Sequence, residues 1–427
     1  MPWFRGMLGI VVLLAVAWSL STDRKRFPFK LVAMGMILQW ALAWVVLRTS
    51  VGRAVFDGVG HFVTLILYGA DEGAQLVFGP LAGNDPAVGW SAIVGIKIMT
   101  TIILVATLSA IGYHFGILQR VVSALAWTMT RTLGVSGAES FAGAANVFFG
   151  QTEAPLMVRP YIPDMTRSEL MALMTGGFAT IATGVMAVYI SMLSGGNDAV
   201  AVATARHLLT ACLMSAPAAF VMAKVMVPET GTPRTSGSIT VDMPRETKSL
   251  VDAITKGAGK GMELSINVLA MLIAFIALIA LVDSLLVGIG GWAWVTPVIQ
   301  AVGLERLDLN NILGLLFSPI AWVMGVEWAD CRAFGGLLGK AMATNELIAY
   351  GTLAELMQNE GMSERSVLMA TYSLCGFANF SSIGIQIGGV GGMAPSRRDD
   401  LVELGPRAMV GGALACWSTG CVAGVLA

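Results

Sequence analysis

Two short polar triplets, each ending in glutamate, interrupt otherwise apolar stretches of this chain: Gln151-Thr152-Glu153 and Thr344-Asn345-Glu346. A carboxylate placed among apolar residues costs about 2.5–3.5 kcal/mol on membrane-insertion scales, so a functional reading of Glu153 and Glu346 comes first. The plainer alternative is that each caps the amides of its own hairpin. An amide such as Gln151 offers both a donor and an acceptor, a carboxylate accepts two hydroxyl hydrogen bonds, and an aromatic ring such as Phe377 stacks. These residue types suit recognition of a solute better than bond breaking. No HExxH, no GxGD and no Ser/His pairing accompanies them, so an enzyme using the two glutamates as an acid/base pair has no support.

Other classes fall away on similar grounds. His61, His114 and His207 are scattered and read as structural. The five cysteines (Cys212, Cys331, Cys375, Cys416, Cys421) form no CxxC pair and read as small buried residues, so neither zinc nor a disulfide framework is expected. Gly288-Ile289-Gly290 closes an apolar run without the strand–helix unit of a dinucleotide site, and Lys260 lacks the Ser/Thr and glycine spacing of a phosphate loop. A net charge of −1 gives no reason to expect nucleic acid. No cofactor is implied.

The polar triplets belong to a wider echo. Gly177-Phe178-Ala179-Thr180 returns as Gly376-Phe377-Ala378-Asn379, each followed closely by further Ser/Thr and Gly, and the two pairs of echoes are offset by 199 and 193 residues. Two matches in register point to an internal repeat. Of the residues, 56% are hydrophobic and only 12% charged, about half the charge of a soluble domain, so the repeat sits in a membrane protein.

Apolar runs near the twenty residues that a bilayer demands occur at 7–20, 31–47, 91–112, 168–193, 200–227, 265–287, 366–390 and 407–427, which predicts eight spans. The first lacks a cleavage site and reads as a membrane helix rather than a signal peptide. Segments 55–84, 116–156 and 293–350 are too interrupted to cross and read as interfacial helices or re-entrant hairpins, tolerated only where protein or a water-filled cavity satisfies the backbone.

Lys and Arg concentrate in alternate loops: Arg24, Lys25, Arg26 and Lys30; Arg159 and Arg167; Arg234, Arg245, Lys248, Lys256 and Lys260; Arg397, Arg398 and Arg407. Those loops face the cytoplasm by the positive-inside rule, and both termini then fall on the outer side, with acidic loops such as that of Asp71, Glu72 and Asp85. The fourth span therefore begins inside and the seventh outside, which makes the repeat inverted. Transporters built this way bind their substrate near the midplane, where broken helices from both halves meet. The expected organisation is scaffold helices over 1–115, a first transport repeat over 116–227, a linker and sixth span over 228–292, and a second repeat over 293–427.

The strings Glu72-Gly73 with Val77-Phe78-Gly79, Ala145-Asn146 with Gly150-Gln151-Thr152-Glu153-Ala154-Pro155-Leu156, Gly177-Phe178-Ala179-Thr180-Ile181-Ala182 and Cys375-Gly376-Phe377-Ala378-Asn379-Phe380-Ser381-Ser382 resemble the concentrative nucleoside transporter family over most of the chain. The resemblance implies an all-α integral membrane homotrimer in a bacterial inner membrane, with eight spans and two re-entrant hairpins per subunit, that carries nucleosides such as uridine inward with sodium as coupling ion. It implies that Gln151, Thr152 and Glu153 face the nucleobase, with Val185 nearby and Phe377 packing on the ring. Glu346, Asn379 and Ser382 would hold the ribose. Sodium would sit between the side chains of Asn146 and Thr180 and the carbonyls of Phe149 and Ile181. A neutral nucleoside, with a polar base edge, vicinal hydroxyls and an aromatic face, matches those residue types. Proton-coupled nucleoside symport, and a passive or non-transporting membrane protein of the same fold, are the alternatives. Two departures, Glu327 where relatives often carry proline and Lys97-Ile98-Met99-Thr100 without the usual Leu-Pro, lie outside the binding strings.

Overall fold

The computed structural model describes residues 2–82, 94–236, 247–301, 304 and 306–427. Asp85, Arg245, the opening of the run expected at 91–112 and the middle of the 228–248 linker lie outside the described residues. All regular structure among those described is helical. Helices α1 (Pro2–Ser19) and α2 (Phe29–Arg48) are followed by α3 (Ser50–Phe78), α4 (Val94–His114) and α5 (Ile117–Leu133). A first hairpin follows, made of α6 (Gly137–Asn146) and the one-turn α7 (Ala154–Met157). The fourth span is broken into α8 (Arg167–Ala179) and α9 (Thr183–Ser194), and α10 (Asp198–Met226) completes the unit.

After the 41-residue α11 (Leu250–Gly290) come α12 (Thr296–Ala301) and α13 (Leu309–Met324). The second hairpin is narrower than the 293–350 segment in which it was expected: α14 (Cys331–Ala343) and α15 (Glu346–Gln358). A broken seventh span, α16 (Glu364–Ser373) and α17 (Phe380–Met393), leads to α18 (Arg398–Leu426). Hairpin, broken helix and long helix thus occur twice in the same order.

Contacts between the ends of these elements show that the two units run in opposite directions. At one end Thr22 N donates to Met226 O at 2.9 Å, Gly137 N to Thr235 O at 2.9 Å, and Arg167 pairs with Asp400 and Glu403. Arg397 caps the carbonyls of Ile162, Pro163 and Met165, and Arg234 pairs with Asp164. At the other end Arg5 reaches Val326 O, Arg48 reaches Ala427 O, and Arg365 binds Gly424 O at 2.7 Å and Gly325 O at 2.8 Å. So α8 starts where α18 starts and α16 starts where α18 ends. The feet of hairpin one stand at the arginine-rich end and those of hairpin two at the opposite end, where Asp330 accepts from the Ser363 hydroxyl at 2.6 Å.

Segment 55–84 corrects the expectation of an interrupted segment, though not that of an interfacial one. It is not interrupted: α3 runs unbroken for 29 residues, and 50–81 is long and apolar enough to cross a membrane. Its polar residues are spaced so that they leave the helical ladder intact and find partners outside it. Asp57 pairs with Arg206 at 2.8 Å, Tyr68 donates to Asp198 at 2.6 Å and Asp71 lies 4.0 Å from Lys97. The start of α3, next to Arg48, and its later turns therefore meet the same end of the molecule, so the helix lies along that end.

Hairpin one is bolted to its neighbours by buried charge. Ser136 and Thr166 each open a helix with a reciprocal cap, in which Glu139 Oε1 accepts from Ser136 N at 2.7 Å and Glu169 Oε2 from Thr166 N at 2.8 Å. The two caps interlock through Ser136 Oγ, which donates to Glu169 Oε1 at 2.5 Å. Lys224, 4% exposed, closes the network with its Nζ 2.7 Å from Glu139 Oε2 and 3.1 Å from Ser168 Oγ. Glu229 joins at the less buried edge, its Oε2 3.4 Å from Lys224 Nζ and accepting from Thr166 Oγ1 at 2.9 Å, and the two helix N-termini help to offset the surplus negative charge. Removing one partner of a buried ion pair costs about 3–5 kcal/mol, while replacing both is far milder. Lys224→Met is therefore expected to lower the melting temperature in detergent sharply, and Lys224→Met combined with Glu139→Gln to recover much of the loss; a double variant no more stable than the single one would contradict the network.

Candidate functional site

Each broken helix and each hairpin tip leaves backbone groups without a helical partner, and these four interruptions come together. Hairpin one uncoils over 147–153, and its Phe148 carbonyl accepts from both Thr183 N at 3.4 Å and Thr183 Oγ1 at 3.0 Å across the break of the fourth span. The approach is close because the wall is bare. A methyl on Gly177 would lie 3.0 Å from Gln151 Cβ, and one on Gly176 3.0 Å from Asn146 Nδ2. From the other unit, Asn345 caps α15 through Ile348 N at 3.0 Å, and Asn379 caps α17 through Ser382 N at 2.9 Å.

Glu346 is 5% exposed and sits in the first turn of α15, where the helix dipole favours its charge. Its Oε2 accepts from Asn379 Nδ2 at 3.0 Å and its Oε1 from the Tyr189 hydroxyl at 2.7 Å. This one carboxylate therefore ties hairpin two to both broken spans. Gln151 donates from Nε2 to Ser382 Oγ at 3.2 Å, joining hairpin one to the seventh span. The structure thus brings Gln151, Glu346, Asn379 and Ser382 together through hydrogen bonds. Thr152 and Phe377 are half-buried alongside, and Val185 is buried in the first turn of α9. Glu153 is exposed, and its Oε2 accepts from Gly150 N at 3.3 Å, which is the capping role of the plainer reading.

Of the four residues expected at the ion, Asn146 ends α6 and Phe149 follows it in the uncoiled tip, while Thr180 and Ile181 lie in the break of the fourth span. Asn146 is 1% exposed, with neither side-chain polar atom hydrogen-bonded. Thr180, 2% exposed, donates to Gly176 O at 3.0 Å and keeps its oxygen lone pairs. Phe149 closes the hairpin-one turn by donating to Ala145 O at 2.9 Å, and among the described residues the Ile181 carbonyl meets the Cys212 thiol alone, at 3.8 Å.

Two participants escaped the sequence. Tyr189, fully buried and stacked on Tyr350 with centroids 4.4 Å apart, looks in sequence like one more apolar-face aromatic of the fourth span. Gln386 donates to Gln151 Oε1 at 3.1 Å and Met174 O at 3.1 Å; its place four residues after Ser382, on one face of α17, was the available signal. The histidines are structural: His61 meets Asp57 O at 2.7 Å, His114 Thr247 Oγ1 at 2.6 Å and His207 the Tyr372 hydroxyl at 3.1 Å.

An inverted pair of hairpins and broken helices around a buried cluster of polar side chains is the architecture of a secondary transporter. Three family models match the chain in succession: the N-terminus of sodium-dependent nucleoside transporters over residues 8–81, nucleoside recognition (gate) over 95–195, and the C-terminus of sodium-dependent nucleoside transporters over 207–424. An uncharacterized transporter of Haemophilus influenzae is 38% identical over 98% of this chain and 96% of its own length. Human solute carrier family 28 member 3 is 35% identical over 98% of this chain and 59% of its own length. The solved structure of CNTnw in an inward-facing substrate-bound state superposes with a TM-score of 0.89 at 35% identity, covering 100% of this chain and 98% of that one. The chain belongs to the sodium-dependent nucleoside transporter family, and it is a multi-pass membrane protein rather than an enzyme.

Tyr189→Phe strips one donor from the buried Glu346 carboxylate without changing volume. An unsatisfied buried acceptor costs about 1–3 kcal/mol, so ligand-free Tyr189→Phe is expected to melt several degrees below the parent protein. An unchanged melting temperature would mean that the Tyr189 contact carries no energy.

Proposed function

We propose that this protein is a symporter that uses the sodium gradient to carry nucleosides such as uridine into the cell. The observation that carries the reading is Asn146: an amide with both polar atoms buried and unbonded at the hairpin-one tip, beside the extended residue Thr180 at the break of the fourth span. A buried amide oxygen left without a partner is costly. A small hard cation satisfies it, together with Thr180 Oγ1 and the carbonyls of Phe149 and Ile181.

In this reading Gln151, Thr152 and the free oxygen of Glu153 face the base, and Val185 and Phe377 pack against the ring. Glu346, Asn379 and Ser382 receive the ribose. The arginine-rich end faces the cytoplasm of a bacterial inner membrane, with the start of α1 and the end of α18 outside. The subunit works as a homotrimer, for which the long α11, buried only at Ala253, Gly257, Gly261 and Ser265, leaves an extended apolar face.

Because the substrate is neutral, one sodium per cycle carries one net charge inward. A potential of 100 mV and a tenfold sodium gradient together supply about 3.7 kcal/mol, enough for roughly 500-fold accumulation. In proteoliposomes, uridine uptake is expected to require an inward sodium gradient, to be electrogenic, and to lose its sodium dependence in Asn146→Ala. Uptake driven equally well by a pH gradient without sodium would replace this reading with proton symport. Glu346→Gln is expected to weaken uridine uptake about tenfold or more, since hydrogen bonds to a charged group are worth about 1.5–3 kcal/mol; wild-type affinity in a well-expressed variant would remove Glu346 from the ribose site.

A further inference from the structure

Gln386 is 1% exposed, and its two hydrogen bonds have opposite consequences for rotation. One goes to the carbonyl of Met174 at 3.1 Å. That oxygen is held in the backbone of α8 and can only accept, so the Gln386 atom beside it has to be the NH2 group. The same nitrogen lies 3.1 Å from Gln151, which must then turn its oxygen toward Gln386 and its own NH2 toward Ser382 Oγ at 3.2 Å. Flipping Gln151 would set two NH2 groups against each other in a buried space, leaving a donor unpaired. Gly177 makes the arrangement possible: a methyl there would stand 2.9 Å from Gln386 Nε2 and 3.0 Å from Gln151 Cβ.

We infer that Gln386 is a positioning residue for base recognition: it locks the Gln151 amide in one orientation, so that Gln151 turns its NH2 side rather than its oxygen toward the edge of the nucleobase. An amide held that way favours rings that present a carbonyl oxygen or an unprotonated ring nitrogen at the position it contacts. The inference rests on the reading above that Gln151 faces the base.

The test uses base pairs of equal shape and opposite edge pattern, uridine against cytidine and inosine against adenosine, which exchange an oxo acceptor for an amino donor. Each competes with labelled uridine for sodium-driven uptake into proteoliposomes. The wild-type protein is expected to separate at least one pair, and Gln386→Met, which fills the same volume without a donor, to bring that inhibition-constant ratio about tenfold closer to one, the size of one well-made hydrogen bond. Gln386→Asn, a methylene too short to span both partners, is expected to do the same and guards against loss of the core. In a Gln151→Met background the Gln386→Met change is expected to have no further effect on the ratios. Wild-type ratios already near one, or Gln386 variants that weaken every nucleoside equally and leave the ratios within twofold, would overturn the lock. Gln151→Met separates the two levels: if it leaves the ratios as in wild type, the base reading fails; if it collapses them while Gln386→Met does not, the lock alone fails.

Discussion

Lipid offers backbone amides no hydrogen bonds, so a helix can be broken inside a membrane only where other protein groups take over the freed N–H and C=O. This chain breaks its helices at four places, and it does so by making the breaks serve one another. Thr183 satisfies Phe148 O, the Cys416 thiol stands 3.4 Å from the carbonyls of both Ala179 and Cys375, and Tyr350 donates to Thr371 O at 2.8 Å. The groups that remain unsatisfied after this exchange, Asn146 first among them, are the ones a ligand can take.

Coupling between ion and solute follows from the same economy of space. Asn146 and Phe149, proposed for the ion, and Gln151, proposed for the base, are separated by only a few residues of uncoiled chain, so a shift at one position is transmitted to the other. The foot of that hairpin has no such freedom, because Ser136, Glu139, Glu169 and Lys224 fix it to α8 and α10. In the proposed reading, a rigid foot and an uncoiled tip let ion binding set the orientation of the groups that read the solute. Hairpin two supplies the complementary element, a single carboxylate whose two oxygens report on both broken spans.

Much of this was legible in the sequence. The triplets at Glu153 and Glu346 and the echoed Gly-Phe-Ala-Thr/Asn strings located the tips and breaks, because a polar group in an apolar run is expensive and seldom idle. The alternation of Arg-rich loops gave the inverted sense of the two units, which the contacts of Arg167 and Arg365 bear out. Tyr189, Gln386 and the Lys224 network were not legible, since their partners lie 157, 235 and 85 positions away in the chain and apolar periodicity names a buried face without naming its neighbours. The continuity of α3 was hidden by its polar residues, which interrupt hydropathy without interrupting the helix. The feet of hairpin two were blurred because α13 and α14 are both apolar and glycine-bearing.

The claim at the centre of this account is that sodium and nucleoside are bound by two faces of one hairpin tip, and binding linkage tests it without the complications of transport. If effector and ligand are coupled, each raises the affinity of the other by the same factor. Equilibrium binding of labelled uridine to the purified protein, titrated over sodium at constant ionic strength, should show a dissociation constant that falls at least about tenfold as sodium saturates, a coupling of about 1.4 kcal/mol. Potassium should have no such effect, and the Asn146→Ala protein should hold one constant throughout. A wild-type dissociation constant that is indifferent to sodium would contradict the account.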